Sequence, residues 1–227
     1  MSEPNSASAP ILVLASASPR RRQLLELLGL PFVVRPSDVD EADHVGEKAD
    51  EMARRLSRLK ARAMQGQVSG GWIVAADTLV YLDRQALGKP VDPAEAVQML
   101  ERLRGRSHQV FSGVTVIDAA SGQERGELAV TTVWMRDYSD AEIAAYVASG
   151  DPVDKAGGYA IQHRELSPVA SVDGCFANVM GLPLCHLYCL LRAAGCVPPE
   201  PPVAACDRFN RRSCEVAWQI LGRQCDR

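Results

Sequence analysis

The sequence predicts an α/β domain, on three observations. A short apolar run at residues 11–14 leads directly into a helical stretch with a capped start. Strand-like and helical stretches then alternate along the chain. The 227 residues suffice for one domain with a sizeable core, or for two small lobes around a cleft.

Taken in order, residues 11–14 read as a buried strand. Ser18 and Pro19 start a helix, because a serine hydroxyl accepts from an orphan N–H and proline at the first helical position sacrifices no bond. Leu24, Leu25, Leu27 and Leu28 give it an apolar face, and Gly29 ends it. Phe32 begins a second strand that runs into the acidic stretch Asp38, Asp40, Glu41. Met52, Leu56, Leu59 and Ala63 recur at helical spacing and predict a charged helix over 47–66. Residues 72–76 form a buried strand that ends at Asp77-Thr78. Asp83-Arg84 is a hairpin turn between 79–82 and 86–87. Asp92-Pro93 opens a helix to Leu103, and strands 108–117 and 126–136 are joined by a turn at Ser121-Gly122. Ser139 caps a helix to Ala148, with Glu142 completing a capping box. The glycine-rich stretch 154–162 is a loop entering a strand, and a last helix spans 184–194. Pro198, Pro199, Pro201 and Pro202 mark a linker, followed by a tail with one helix near 213–222. The expected organisation is therefore a flexible 1–9, a domain over 10–196, and a linker with a cysteine-containing tail over 197–227.

A net charge of −3 argues against a general grip on DNA or RNA, and no apolar run is long enough to span a bilayer. The start of the chain lacks a secretory pattern, so a cytoplasmic protein is expected. All seven cysteines lie after position 174, so residues 1–174 must fold without them. Cys185 and Cys189 are spaced i, i+4 beside His186, which is poor zinc-knuckle spacing. Buried thiols and a loosely packed tail are the favoured expectation over a metal or a tail disulfide.

Four groups of residues could carry chemistry. Ser16, Ser18, Arg20 and Arg21 stand where a strand turns into a helix, and the unpaired N–H groups and guanidiniums there suit phosphate oxygens. The bland reading is a capped helix with solvated arginines. Three arginines in the first turn oppose the helix dipole, however, and call for an anion. Asp77 follows a buried strand and could bind a metal or position a water, though a turn aspartate is as common; Asp40 and Glu41 could add oxygen ligands. Lys60, Lys89 and Lys155 are scattered cations, of which Lys89 stands out between Gly88 and Pro90. Gln162 has an amide suited to reading a base edge, but alone it predicts nothing.

Together, Ser16-Ala-Ser-Pro-Arg-Arg21, Ala76-Asp-Thr78, Gly88-Lys-Pro90, His108-Gln-Val-Phe-Ser-Gly113, Asp154-Lys-Ala-Gly-Gly-Tyr-Ala-Ile-Gln162 and Asn178-Val-Met-Gly-Leu-Pro183 resemble the motifs of the Maf family, in its order, over about 11–194. The resemblance implies a fold like that of inosine triphosphate pyrophosphatases: a mixed twisted sheet with helices and a deep cleft between two lobes. It implies a nucleoside triphosphate pyrophosphatase of the dTTP/UTP branch, using Mg²⁺ or Mn²⁺. By the same resemblance Asp77 is the proton acceptor, with Lys60 and Lys89 completing the catalytic set. Ser16, Arg20, Arg21, Thr78, Lys155 and Gln162 bind substrate, and Asp77 and Glu41 hold the metal. A homodimer is common in the family. His163 and Arg164 depart from its usual pattern and could touch base or ribose. The rival is a nucleotide-sensing regulatory protein that affects septation; a dinucleotide-binding enzyme is disfavoured, because the turn after the first strand lacks G-x-G-x-x-G.

Overall fold

A computed structural model describes residues 12–42, 44 and 46–225. The expected flexible segment 1–9 and Ile11, the first residue of the expected first strand, lie outside them. Strand β1, Leu12–Leu14, leads to helix α1, Pro19–Glu26. Ser18 caps that helix, its hydroxyl accepting from the Arg21 N–H at 3.4 Å. Then follow β2 (Phe32–Val34), α2 (Ala49–Arg62), β3 (Trp72–Leu82), β4 (Gln85–Leu87) and α3 (Pro93–Leu103). Strands β5 (Ser107–Asp118) and β6 (Glu124–Met135) form a long hairpin before α4, Asp140–Ala148, whose capping box from Ser139 and Glu142 is present. Two 3-10 turns, Asp151–Asp154 and Ala156–Gly158, precede β7 (Val169–Asp173), α5 (Phe176–Val179) and α6 (Leu184–Ala193). Helices α7, Val203–Asn210, and α8, Ala217–Gln224, complete the chain.

The strands form one mixed seven-stranded sheet in the order β2-β1-β3-β5-β6-β7, with β4 also on β3. Strand β1 runs parallel to β2 and β3; the other pairings are antiparallel. One face carries α2, whose Met52, Ala53 and Leu56 pack on Leu79. The opposite face buries the main core, to which α1 contributes Leu24 and Leu25, the turn after it Leu28, and α6 Leu184, Leu187 and Leu191.

Three expectations are corrected. Strand β3 does not stop at Asp77 but continues to Leu82, because Asp77 and Thr78 stay paired with Gly113 and Ser112 of β5 after β1 has ended. The stretch 154–162 enters no strand. It is held in tight turns by positive φ at Gly157 and Gly158, and the strand comes later, at β7. The tail holds two helices and is not loosely packed: Ala217 and Leu221 are buried in the core, and Cys189 of α6 forms a disulfide with Cys225. The bond joins residues 36 apart, so Cys225→Ser should lower unfolding stability by about 2–4 kcal/mol under non-reducing conditions, measured by denaturant titration.

His108 and His186 are buried, and desolvation lowers each pKa from 6.5 to about 4. Both rings stay neutral in the fold, while the unfolded chain protonates them at the ordinary value. Between about pH 6.5 and 4 the unfolded state therefore binds more protons, and stability falls as pH falls. Melting temperature should drop across that window, and His186→Gln should flatten the slope.

Candidate active site

The site is set by a break along one edge of β3. Strand β5 lines the other edge from Trp72 to Tyr81. On the open edge, β1 pairs with residues 72–74 and β4 with residues 80–82. The stretch between them, which includes Asp77 and Thr78, has no strand neighbour there. Because β1 and β3 are parallel, the turn that follows β1 arrives beside this gap; the Ala15 N–H donates to the Val74 carbonyl at 2.8 Å. Such a point, where strands end and the connection turns away, is where open sheets bind ligands.

Neighbouring strand residues face opposite sides of the sheet. Asp77 faces α2 and is 5% exposed. Its Oδ1 accepts from Lys60 Nζ at 2.6 Å, and Lys60 also pairs with Glu41 Oε2 at 2.8 Å. The helix reaches this close because its backbone rests on a glycine: a Cβ at Gly113, the β5 partner of Asp77, would lie 2.1 Å from the Ala53 carbonyl oxygen. Asp77 Oδ2 is buried without a hydrogen-bond partner. An unpaired buried acceptor costs about 1–3 kcal/mol, a cost that concentrates where an atom is kept for chemistry.

Thr78 faces the opposite side. Its hydroxyl lies 2.8 Å from Ser112 Oγ and accepts from Arg21 Nη2 at 3.2 Å. Arg21 also donates to Ser16 Oγ at 3.3 Å and to the Gly181 carbonyl at 2.9 Å. Burial pulls its pKa down, the charges of Asp77 and Glu41 oppose this, and the guanidinium remains a cation. Ser112 Oγ donates to the Asn178 carbonyl at 3.3 Å, and Asn178 Nδ2 donates to the Val110 carbonyl at 3.1 Å and to Thr131 Oγ1 at 2.9 Å. Ser112, Gly113 and Asn178 were not among the expected site residues. The signal that could have found them was small or polar residues in stretches otherwise fit for a core.

Within the fold the three arginines of the first turn have separate protein partners. Arg22 pairs with Glu26 in solvent, Arg21 is bound as above, and Arg20 reaches Asp154, with Nη1 3.6 Å from Oδ2. Lys155, expected to bind substrate, is buried and donates to the Asp151 carbonyl and to Asp154 Oδ1, both at 2.5 Å. Lys89 and Gln162 are exposed. The Lys89 loop is anchored at the gap by the Gly157 N–H, which donates to the Gly88 carbonyl at 2.9 Å. His163 Nδ1 accepts from the Leu166 N–H at 3.1 Å, and its ring meets Tyr146 edge-on at 4.6 Å. A cleft of about 480 Å³ lies farther along the α2 face, lined by Met52, Tyr81, Gly88 and Arg102 among others.

The fold and this site define a mixed α/β protein in which a buried carboxylate and several cations meet at the open edge of one strand. The family model described as Maf-like protein matches residues 11–194, and the chain belongs to that family. A dTTP/UTP pyrophosphatase of Myxococcus xanthus is 47% identical over 190 residues, covering 83% of this chain and 95% of the relative. One of Thermomicrobium roseum is 44% identical over 222 residues, covering 94% and 99%. Among solved structures, the Ham1 protein of Staphylococcus aureus is similar with a TM-score of 0.37 and 14% identity, over 56% of this chain and 72% of that one. No helix among the described residues is long and apolar enough to cross a membrane.

Proposed function

We propose that the protein is a nucleoside triphosphate pyrophosphatase acting on dTTP- and UTP-like nucleotides. The observation that carries this reading is Asp77 Oδ2, a buried carboxylate oxygen without a partner, on a side chain held from behind by Lys60. The relatives named dTTP/UTP pyrophosphatase support the substrate class. A sensing protein has no use for such an oxygen, so the regulatory reading is set aside.

In the proposed reaction Asp77 orients a water and accepts its proton as the water oxygen bonds to the α-phosphorus. The bond from that phosphorus to the oxygen bridging toward the β-phosphate breaks. Pyrophosphate leaves with the electron pair, and a nucleoside monophosphate remains. Lys60 fixes the Asp77 carboxylate, while Arg20 and Lys89 offset negative charge on the departing group. Ser16, Thr78 and Arg21 shape the turn against which the phosphates lie, and Gln162 offers its free amide to the base edge.

The residues fit a divalent cation, Mg²⁺ or Mn²⁺. Asp77 Oδ2 is an unused oxygen donor, and Glu41 stands across Lys60 from it. Among the described residues no three His, Cys, Asp or Glu side chains form a metal-binding group, so the ion would complete its shell with phosphate oxygens and water, as Mg²⁺ commonly does. When bound it would neutralise charge on those phosphate oxygens. A cytoplasmic location and a homodimer belong to the same proposal, the second checked by light scattering.

The test is a nucleotide panel with and without added Mg²⁺ or Mn²⁺, followed by pyrophosphate release. Release from dTTP and UTP above that from CTP and GTP is expected. A protein that binds these nucleotides yet releases no pyrophosphate from any of them would refute the enzyme reading.

A further inference from the structure

One hydrogen-bonded chain crosses residues 146–160 and ends at recognition groups on either side. Asp154 receives Arg20 through its carbonyl, at 3.3 Å from Nη2, and through its carboxylate. The same carboxylate accepts from Lys155. Lys155 also donates to the Asp151 carbonyl and pairs with Asp151 Oδ1 at 3.0 Å. Asp151 Oδ2 accepts from the Tyr146 hydroxyl at 2.6 Å, and that hydroxyl oxygen accepts from the Ala160 N–H at 2.9 Å, two residues before Gln162.

Of the ammonium's three N–H donors, two go to the Asp151 carbonyl and Asp154 Oδ1, and Asp151 Oδ1 adds an ion pair on the same nitrogen. The side chain is 8% exposed, so it presents little surface to a ligand. Burial pushes the Asp151 carboxyl up, but hydrogen bonds from Tyr146 and Lys155 outweigh it and hold it below the usual range, so Asp151 stays a carboxylate.

We infer that Lys155 is a positioning residue rather than a phosphate ligand. Through Asp154 it sets the Arg20 guanidinium on the phosphate side; through Asp151 and Tyr146 it sets the backbone that presents Gln162 to the base. Grip on phosphate and choice of base are thereby coupled through one buried ammonium. This rests on the nucleotide reading above and adds to it a residue that discriminates bases without touching them.

The experiment measures binding, so it does not depend on turnover. In an Asp77→Asn parent, calorimetry gives Kd for UTP, for CTP and for inorganic tripolyphosphate, which reports the phosphate grip alone. Adding Lys155→Met should weaken tripolyphosphate about tenfold and reduce the UTP preference over CTP about tenfold, the loss of one hydrogen bond to a charged group at each end. Adding Tyr146→Phe should reduce the base preference similarly. Loss of tripolyphosphate affinity with base preference kept in Lys155→Met makes Lys155 a direct ligand and overturns the inference. So does a Lys155→Met protein unchanged in both respects, or a parent that binds UTP and CTP alike. If Lys155→Met does not fold, as judged by circular dichroism, Tyr146→Phe decides, and an unchanged base preference there overturns the inference. Absence of pyrophosphate release from the wild-type protein would strike the enzyme reading only and leave these affinities interpretable.

Discussion

Asp77→Asn is expected to lower pyrophosphate release by about 10³-fold or more with the fold retained, because it removes the proton acceptor and keeps the side chain's shape. The residue is 5% exposed, and its carboxylate is held by Lys60 at 2.6 Å. Loss of its charge leaves Lys60 buried but not unpaired, since Glu41 remains at 2.8 Å. The change also replaces a buried charge by a neutral amide, which costs less to bury, so the melting temperature should move by only a few degrees. Stopped assays of pyrophosphate release with a parallel thermal melt check both halves. More than about a tenth of wild-type turnover would remove Asp77 from the role of base.

The second large effect falls on a residue that touches no substrate. Gly113→Ala places a methyl group 2.1 Å from the Ala53 carbonyl oxygen and 2.8 Å from Ser57 Oγ. Backbone on both sides must yield, so α2 lifts from the sheet. We expect a cost of about 3 kcal/mol or more, since overpacking against rigid backbone lies at the upper end of such penalties. For a chain of this size that lowers the melting temperature by about 6–12 °C. Activity should fall further than stability alone explains, because Lys60 rides on the displaced helix. A Gly113→Ala protein with wild-type melting and turnover would show that α2 is not held at this contact.

Features built from neighbouring residues were legible in the sequence. The Ser18 and Ser139 caps depend on atoms within three residues. The Asp83-Arg84 turn has both residues at positive φ, the geometry that closes a two-residue hairpin. What escaped depends on distant partners. Lys60 on a charged helix reads as solvated, yet it is buried because Asp77, 17 positions later, returns beneath it. Lys155 is the exception: its partners Asp151 and Asp154 lie within four residues, but the short 3-10 turn that wraps them around it carries no periodic signal, so it reads as an anion binder. Strand β7 is five residues long with mixed burial, too short for a periodic signal. The tail hid its packing because proline spacing says where a chain turns and not what the next helix meets; only the fold brings Cys225 to Cys189.

Strands β3, β5 and β6 each run 11 or 12 residues without interruption past the gap beside Asp77. The elements flanking that gap thus share a common girder and are not joined by a flexible connector. Large swinging motions of one flank against the other would require shearing the longest ladders in the molecule. The protein should instead greet its ligand with a nearly finished mould, so that selectivity comes from how well a nucleotide matches standing walls rather than from how far the walls travel to meet it.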